Sequence, residues 1–169
     1  MTKTSFIAIA ALAAALLLPT LAAQADESGI RVDEVWARAT PSTAKTGVIY
    51  LSITNTGSTP DTLVSASTPV AAQAELHETS TTNGVMQMRS VQALSIAPGK
   101  TVLLQPEGYH LMLMGLKRQL KEGEHVPLTL VFAHAGKRDV TASVEKPGAL
   151  HPAESKAMPG MSPMPGMSH

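Results

Sequence analysis

After its first 25 residues the chain alternates short runs of apolar and polar residues, and no period of 3.6 persists for more than a turn or two. Runs at 30–38, 47–54, 62–67, 72–79, 85–91, 101–104, 110–113, 126–132 and 139–144 have the length and β-branched content of strands. Asn55-Thr56-Gly57, Asn83-Gly84, Pro98-Gly99 and Glu122-Gly123 supply turns between them. Alternation places Ile49, Leu51 and Ile53 on one face, and does the same for Val126, Leu128, Leu130 and Phe132 and for Val140, Ala142 and Val144. The expectation is an all-β Greek-key sandwich whose core is made where these faces meet.

Both ends depart from this pattern. Lys3, the apolar run from Phe6 to Leu18, Pro19 and the small residues up to Ala23-Gln24-Ala25 read as an export signal cleaved after Ala25. The run is broken before the about 20 apolar residues that a membrane span requires, so the mature chain is expected to carry no integral membrane segment. From Pro147 onward Pro, Gly, Ser and Ala replace the alternation, which predicts a domain over 26–146 and a flexible tail over 147–169.

With 13 basic and 13 acidic residues and no basic run, the chain lacks the electrostatic footprint of a nucleic-acid partner. It contains no nucleophile motif, phosphate loop or paired-carboxylate pattern, so no enzymatic activity is expected. It also has no cysteine, which excludes a thiolate-ligated electron-transfer copper site.

The methionines are unevenly placed. After Met1 they fall at 86, 88, 112, 114, 158, 161, 164 and 167, and none lies in the first three predicted strands. Core-filling methionine would be scattered among leucine and valine positions. In His110-Leu111-Met112-Leu113-Met114, strand alternation sends the leucines to one face and His110, Met112 and Met114 to the other. Likewise Ala72, Ala74 and Leu76 facing the core turn His77 outward. A hairpin between 72–79 and 85–91 pairs His77 with Met88 if its loop has four residues. A two-residue Asn83-Gly84 turn makes the pair diagonal, on the same face in either case.

Thioethers are soft, neutral ligands that suit neither Mg²⁺, Ca²⁺ nor Zn²⁺, whereas Cu(I) accepts thioether and imidazole together. His77, Met88, His110 and Met112 are therefore the candidate Cu(I) ligands. Their spacing, His-x10-Met-x21-His-x-Met, resembles that of the periplasmic copper chaperones associated with assembly of the CuA centre of cytochrome c oxidase. Similarity also runs through Val35-Trp36-Ala37-Arg38-Ala39-Thr40-Pro41, Leu76-His77-Glu78-Thr79 and His110-Leu111-Met112-Leu113-Met114-Gly115-Leu116.

The resemblance implies a cupredoxin-like sandwich, Cu(I) on the four named residues, and delivery of copper to an oxidase subunit or a thiol-containing intermediary. A periplasmic buffer or resistance protein would use the same residues to sequester copper. A non-metal structural sandwich would not need them. Met86 and Met114 are read as a hydrophobic rim shielding the ion, with reserve ligands during transfer as the alternative, Trp36 as a core anchor, and His125 and His134 as ordinary surface or strand-end histidines. In the tail, Met158-Pro159-Gly160-Met161 recurs as Met164-Pro165-Gly166-Met167. With His151 and His169, these methionines form a candidate secondary site for Cu(I) or Cu(II).

Overall fold

A computed structural model describes residues 29–152, so residues 1–28, with the export signal, and 153–169, with the tail methionines and His169, lie outside the described residues. Ten strands follow one another: β1 (Ile30–Arg38), β2 (Thr46–Asn55), β3 (Asp61–Ser67), β4 (Gln73–Thr82), β5 (Val85–Ser90), β6 (Leu94–Ile96), β7 (Thr101–Leu104), β8 (Tyr109–Met114), β9 (His125–Phe132) and β10 (Gly136–Glu145). No helix occurs among the described residues. Nine of these strands answer to the nine predicted runs. The additional one, β6, is only three residues long, too short to show a period, yet buries Leu94 and Ile96.

The strands hydrogen-bond in the order β5-β4-β8-β7-β2-β1-β10-β9-β3-β6, with further pairings of β8 to β2 and of β4 to β3. The β3–β4 contact brings the two halves of the sheet back together, so it wraps around one core as a cupredoxin-like Greek-key sandwich. Ladders are antiparallel except β1 with β10 and β7 with β8. The core takes Ile49, Leu51 and Ile53 from β2, Leu111 and Leu113 from β8, and Val126, Leu128, Leu130 and Phe132 from β9, all essentially inaccessible to water. These are the faces that alternation predicts. Burying the aliphatic side chains contributes roughly 1.5–3 kcal/mol each before the entropy of ordering them is set against it.

A bulge in β1 changes the reading of Trp36. Ile30 and Val32 face the core, but the register with β2 shifts between Asp33 and Trp36, where Glu34 adopts φ 52°. The extra residue reverses the alternation, so Ala37 enters the core while Trp36 and Arg38 point to the opposite face. Trp36 is buried, as expected of an anchor, yet it is not part of the central cluster: it pairs with Tyr50 of β2 on the outer layer.

Candidate metal centre

The outer face of β5, β4, β8 and β2 carries the candidate ligands. Asn83 at φ 51° and Gly84 at φ 77° form a two-residue turn that pairs Thr82 with Val85 and therefore Thr79 with Met88. Of the two registers open to the sequence this is the shorter-loop one, and it sets Met88 diagonal to His77 rather than opposite. Across the other edge of β4, His77 stands directly opposite His110, and Glu75 opposite Met112. Val48 of β2 then pairs with Met112, so all these side chains project to one side while Leu76, Leu111 and Leu113 fill the other.

The two imidazoles have ring centroids 5.9 Å apart and planes inclined at 44°. That separation lets both rings reach one ion at the about 2.0–2.1 Å typical of metal–imidazole bonds. Their other nitrogens are occupied in a way that fixes each tautomer. His110 Nδ1 lies 3.1 Å from the Gly108 carbonyl oxygen, which can only accept, so Nδ1 carries the proton and Nε2 keeps its lone pair. The same oxygen accepts the Thr79 N–H at 3.0 Å, tying this loop to β4.

His77 has the opposite arrangement. Its Nε2 lies 3.3 Å from the Glu75 carboxylate, and its Nδ1 is buried with no hydrogen-bond partner. An orphaned buried lone pair costs about 1–3 kcal/mol unless something occupies it. A soft cation bound at that nitrogen would do so, and a donor set of neutral imidazole and thioether fits such an ion. Burial holds the His110 imidazole below its ordinary 6.5, reinforced by His77 and opposed by the bond to Gly108, so the ring stays neutral and able to ligate.

A cavity of about 310 Å³ opens beside the pair, and Met88, His110 and Met112 all line it, with Tyr50, Arg38 and Glu107 among its other walls. His77 does not line this cavity; it stands beside it, across the ladder from His110. The sequence reading sends His77 and His110 outward. The face is as expected, but neither ring stands free in solvent: His110 is 6% exposed and the His77 side chain 14%. Met88, by contrast, is 54% exposed on an edge strand. Among the described residues no group of three or more His, Asp or Glu converges, so the site offers nothing resembling a hard-cation cage.

Met86 and Met114 share the ligand face one strand step beyond Met88 and Met112 and do not line the cavity. His125 and His134 are exposed and remote from it in the ladder. His151 is exposed beside Trp36.

Four contributors were not singled out from the sequence. Tyr50 lies 6.4 Å from His110 and 4.6 Å from Trp36, ring centre to ring centre, and backs the histidine. Burial raises its phenol above the ordinary value against the pull of Arg38, so it remains a neutral wall rather than an anionic ligand. Arg38 covers Tyr50 at 5.4 Å, Glu75 holds His77, and Gly108 holds His110. Tyr50 and Glu75 were available from parity, since each is an even number of residues from a site-face position on its own strand. Arg38 was hidden by the bulge.

The same fold occurs in the copper-bound PCuAC domain from PmoF2, which is 24% identical over 70% of this chain and 94% of that one, with a TM-score of 0.61. The Cu(I) form of DR1885 from Deinococcus radiodurans is 37% identical, with a TM-score of 0.55, covering 68% of this chain and 76% of that one. Fold and comparison thus define the class as PCuAC-like. Residues 30–144 match the profile of the family described as "Putative lipoprotein LpqE-like", and the protein belongs to that family. A relative described as a putative lipoprotein, Lxx21020 of Leifsonia xyli subsp. xyli, is 35% identical over 161 residues, 86% of this chain and 93% of its own.

Proposed function

We propose that this protein is an exported copper chaperone that binds Cu(I) through His77, Met88, His110 and Met112 and passes it on towards cytochrome c oxidase assembly. The observation that carries the reading is the opposed His77–His110 pair. Each ring has one nitrogen engaged by the protein, the free nitrogen of His77 is buried and unpartnered, and two thioethers stand at the adjoining cavity. Neutral imidazole and thioether leave the ion its single charge and expose no thiol to oxidation. Met86 and Met114 extend the apolar surface around the centre.

Residues 1–25 act as the export signal, in keeping with the family's description. None of the 169 residues is a cysteine, so the lipid-bearing thiol usual in bacterial lipoproteins has no counterpart within them. The methionines and histidines of residues 151–169 form a second, looser copper site. The recipient is an oxidase subunit or a thiol-containing intermediary.

X-ray absorption of the Cu(I)-loaded protein should give mixed nitrogen and sulfur neighbours, and His110→Ala and Met112→Ala should each weaken Cu(I) binding. An oxygen-only shell, or binding indifferent to both substitutions, would refute the assignment. Incubation of the loaded protein with an apo acceptor then separates delivery from storage, because a buffer would retain its ion.

A further inference from the structure

Among the described residues the strand order ends at β5 on one side and at β6 on the other, and β6 is only three residues long. The register of β5 on β4 tells which of its main-chain groups lie along the outer edge. The Val91 N–H donates to the Leu76 carbonyl at 2.8 Å, and the two-residue turn pairs Thr82 with Val85. Hydrogen-bonded pairs alternate along an antiparallel ladder, so Val85, Gln87 and Arg89 direct their N–H and C=O groups at β4. Those of Met86, Met88 and Ser90 point away from the sheet.

Free edges are usually guarded by proline, lysine or a bulge. β5 reads Val-Met-Gln-Met-Arg-Ser, is exposed throughout and has no such guard. Its one charge, Arg89, is folded back: the Nε–H donates to the Glu78 carboxylate at 2.7 Å, on the face opposite the candidate ligands. The middle of this edge adjoins the copper centre, because Met88 also lines the cavity with His110 and Met112. Both imidazoles are largely covered and Met88 is exposed, so an incoming donor meets the thioether first. Six residues make an edge about 20 Å long and one strand deep, a fraction of the about 800 Å² per partner that a stable complex buries. The edge therefore suits a brief encounter with a partner rather than a lasting pair of copies of this chain.

We infer that β5 is the docking edge for the copper acceptor, which adds an extended, thiol-bearing segment to it as a further antiparallel strand with its cysteine opposite Met88. This rests on the reading of the protein as a copper chaperone with Met88 among its ligands. Opposed residues share a face, and in a hydrogen-bonded pair their Cα atoms are about 5.5 Å apart, so the thiol stands beside the Met88 thioether on the copper face. A thiolate brings the negative charge that imidazole and thioether lack, which draws Cu(I) towards the partner. The step is ligand exchange: the Cu–S bond to Met88 breaks as one to the partner's sulfur forms, the thiol proton passes to solvent, and copper stays Cu(I).

The test uses the full mature chain and a short synthetic peptide of alternating threonine and valine with one central cysteine, beside a twin whose cysteine is flanked by prolines and cannot pair. In the metal-free protein the strand peptide should protect the Met86, Met88 and Ser90 amides from hydrogen exchange. Those of Gln87 and Arg89, already bonded to β4, should change little, and the twin should protect none. In the Cu(I)-loaded protein the Met88 and Met112 methyl resonances follow removal of the ion. Ser90→Pro deletes one outward N–H and no ladder bond, so the variant should bind Cu(I) like the parent. It should lose the ion to the strand peptide about five-fold more slowly, the effect of one net hydrogen bond, and to the twin at the parent's rate. Absence of the alternating protection, equal slowing towards both peptides, or undiminished loss to the strand peptide overturns the inference. Protection of the same three amides by self-association without peptide does so too. Copper found on other residues than Met88 would instead count against the proposed function, and the amide pattern, measured without copper, would still judge the docking edge.

Discussion

Glu75 touches no ion in the proposed site, yet it fixes which nitrogen of His77 can. Its carboxylate accepts from Nε2–H at 3.3 Å and leaves the buried Nδ1 as the donor. Removing such an outer partner from a metal-binding histidine usually costs 10–100-fold in affinity. Here the Glu75 side chain is 40% exposed, so water can replace part of the lost bond, and the lower end applies. Glu75→Ala should weaken Cu(I) binding about ten-fold, equivalent to about 1.4 kcal/mol. Glu75→Gln retains an acceptor oxygen and should recover most of that.

Competition for Cu(I) against bicinchoninate at neutral pH measures the affinity. Nitrogen chemical shifts of the imidazole in the metal-free protein report the tautomer, which should favour Nε2–H in the native chain and become mixed in Glu75→Ala. Unchanged affinity in Glu75→Ala, or copper found on Nε2 of His77, would refute the reasoning.

Three further outcomes are expected. Met112 sits on an interior strand and Met88 on the exposed edge hairpin, so Met112→Leu should reduce Cu(I) affinity more than Met88→Leu in the same competition assay. Trp36 is the only tryptophan and connects to His110 through Tyr50, so its emission should change on copper binding and lose that response in His110→Ala. Asp61 is buried; burial disfavours its charge, but the N–H groups of His134, Ala135 and Thr62, with His134 nearby, outweigh this and hold the carboxyl below its ordinary value. Its contribution to stability is therefore complete above the unfolded carboxyl's value of about 3.9 and lost as pH falls through the lower folded one. Asp61→Ala should be destabilised by on the order of 3 kcal/mol at neutral pH in urea unfolding, with a shallower acid limb than the parent.

The fold was legible wherever one face of a strand is apolar. Leu111 and Leu113 disclose the inward side of β8, and His110 and Met112 follow on the other by parity alone. Which residues would share a centre was harder to read. The opposition of His77 and His110 depends on a long-range β4–β8 register that local pattern does not specify, and the hairpin left two registers open until the turn was seen. The burial of His110 was equally invisible, because Tyr50, which backs it, comes from a strand distant in sequence. The candidate ligands were found through residue chemistry and spacing; parity also puts Glu75 and Tyr50 on their face, but which nitrogen of each histidine is engaged required coordinates.

The bulge at Glu34 makes the position of Arg38 a matter of counting. Every side chain of β1 beyond it owes its side of the sheet to one additional residue, so deleting that residue would exchange the two faces from Val35 to Arg38 together. Trp36 would be driven at the core, Ala37 would be exposed, and the guanidinium would lose both its place over Tyr50 and the hydrogen bond that its Nε–H donates to the Ala149 carbonyl at 2.8 Å. A deletion well removed in sequence from His77, Met88, His110 and Met112 would thus strip the wall behind His110 and release the turn at Ala149 at once, without altering one candidate ligand.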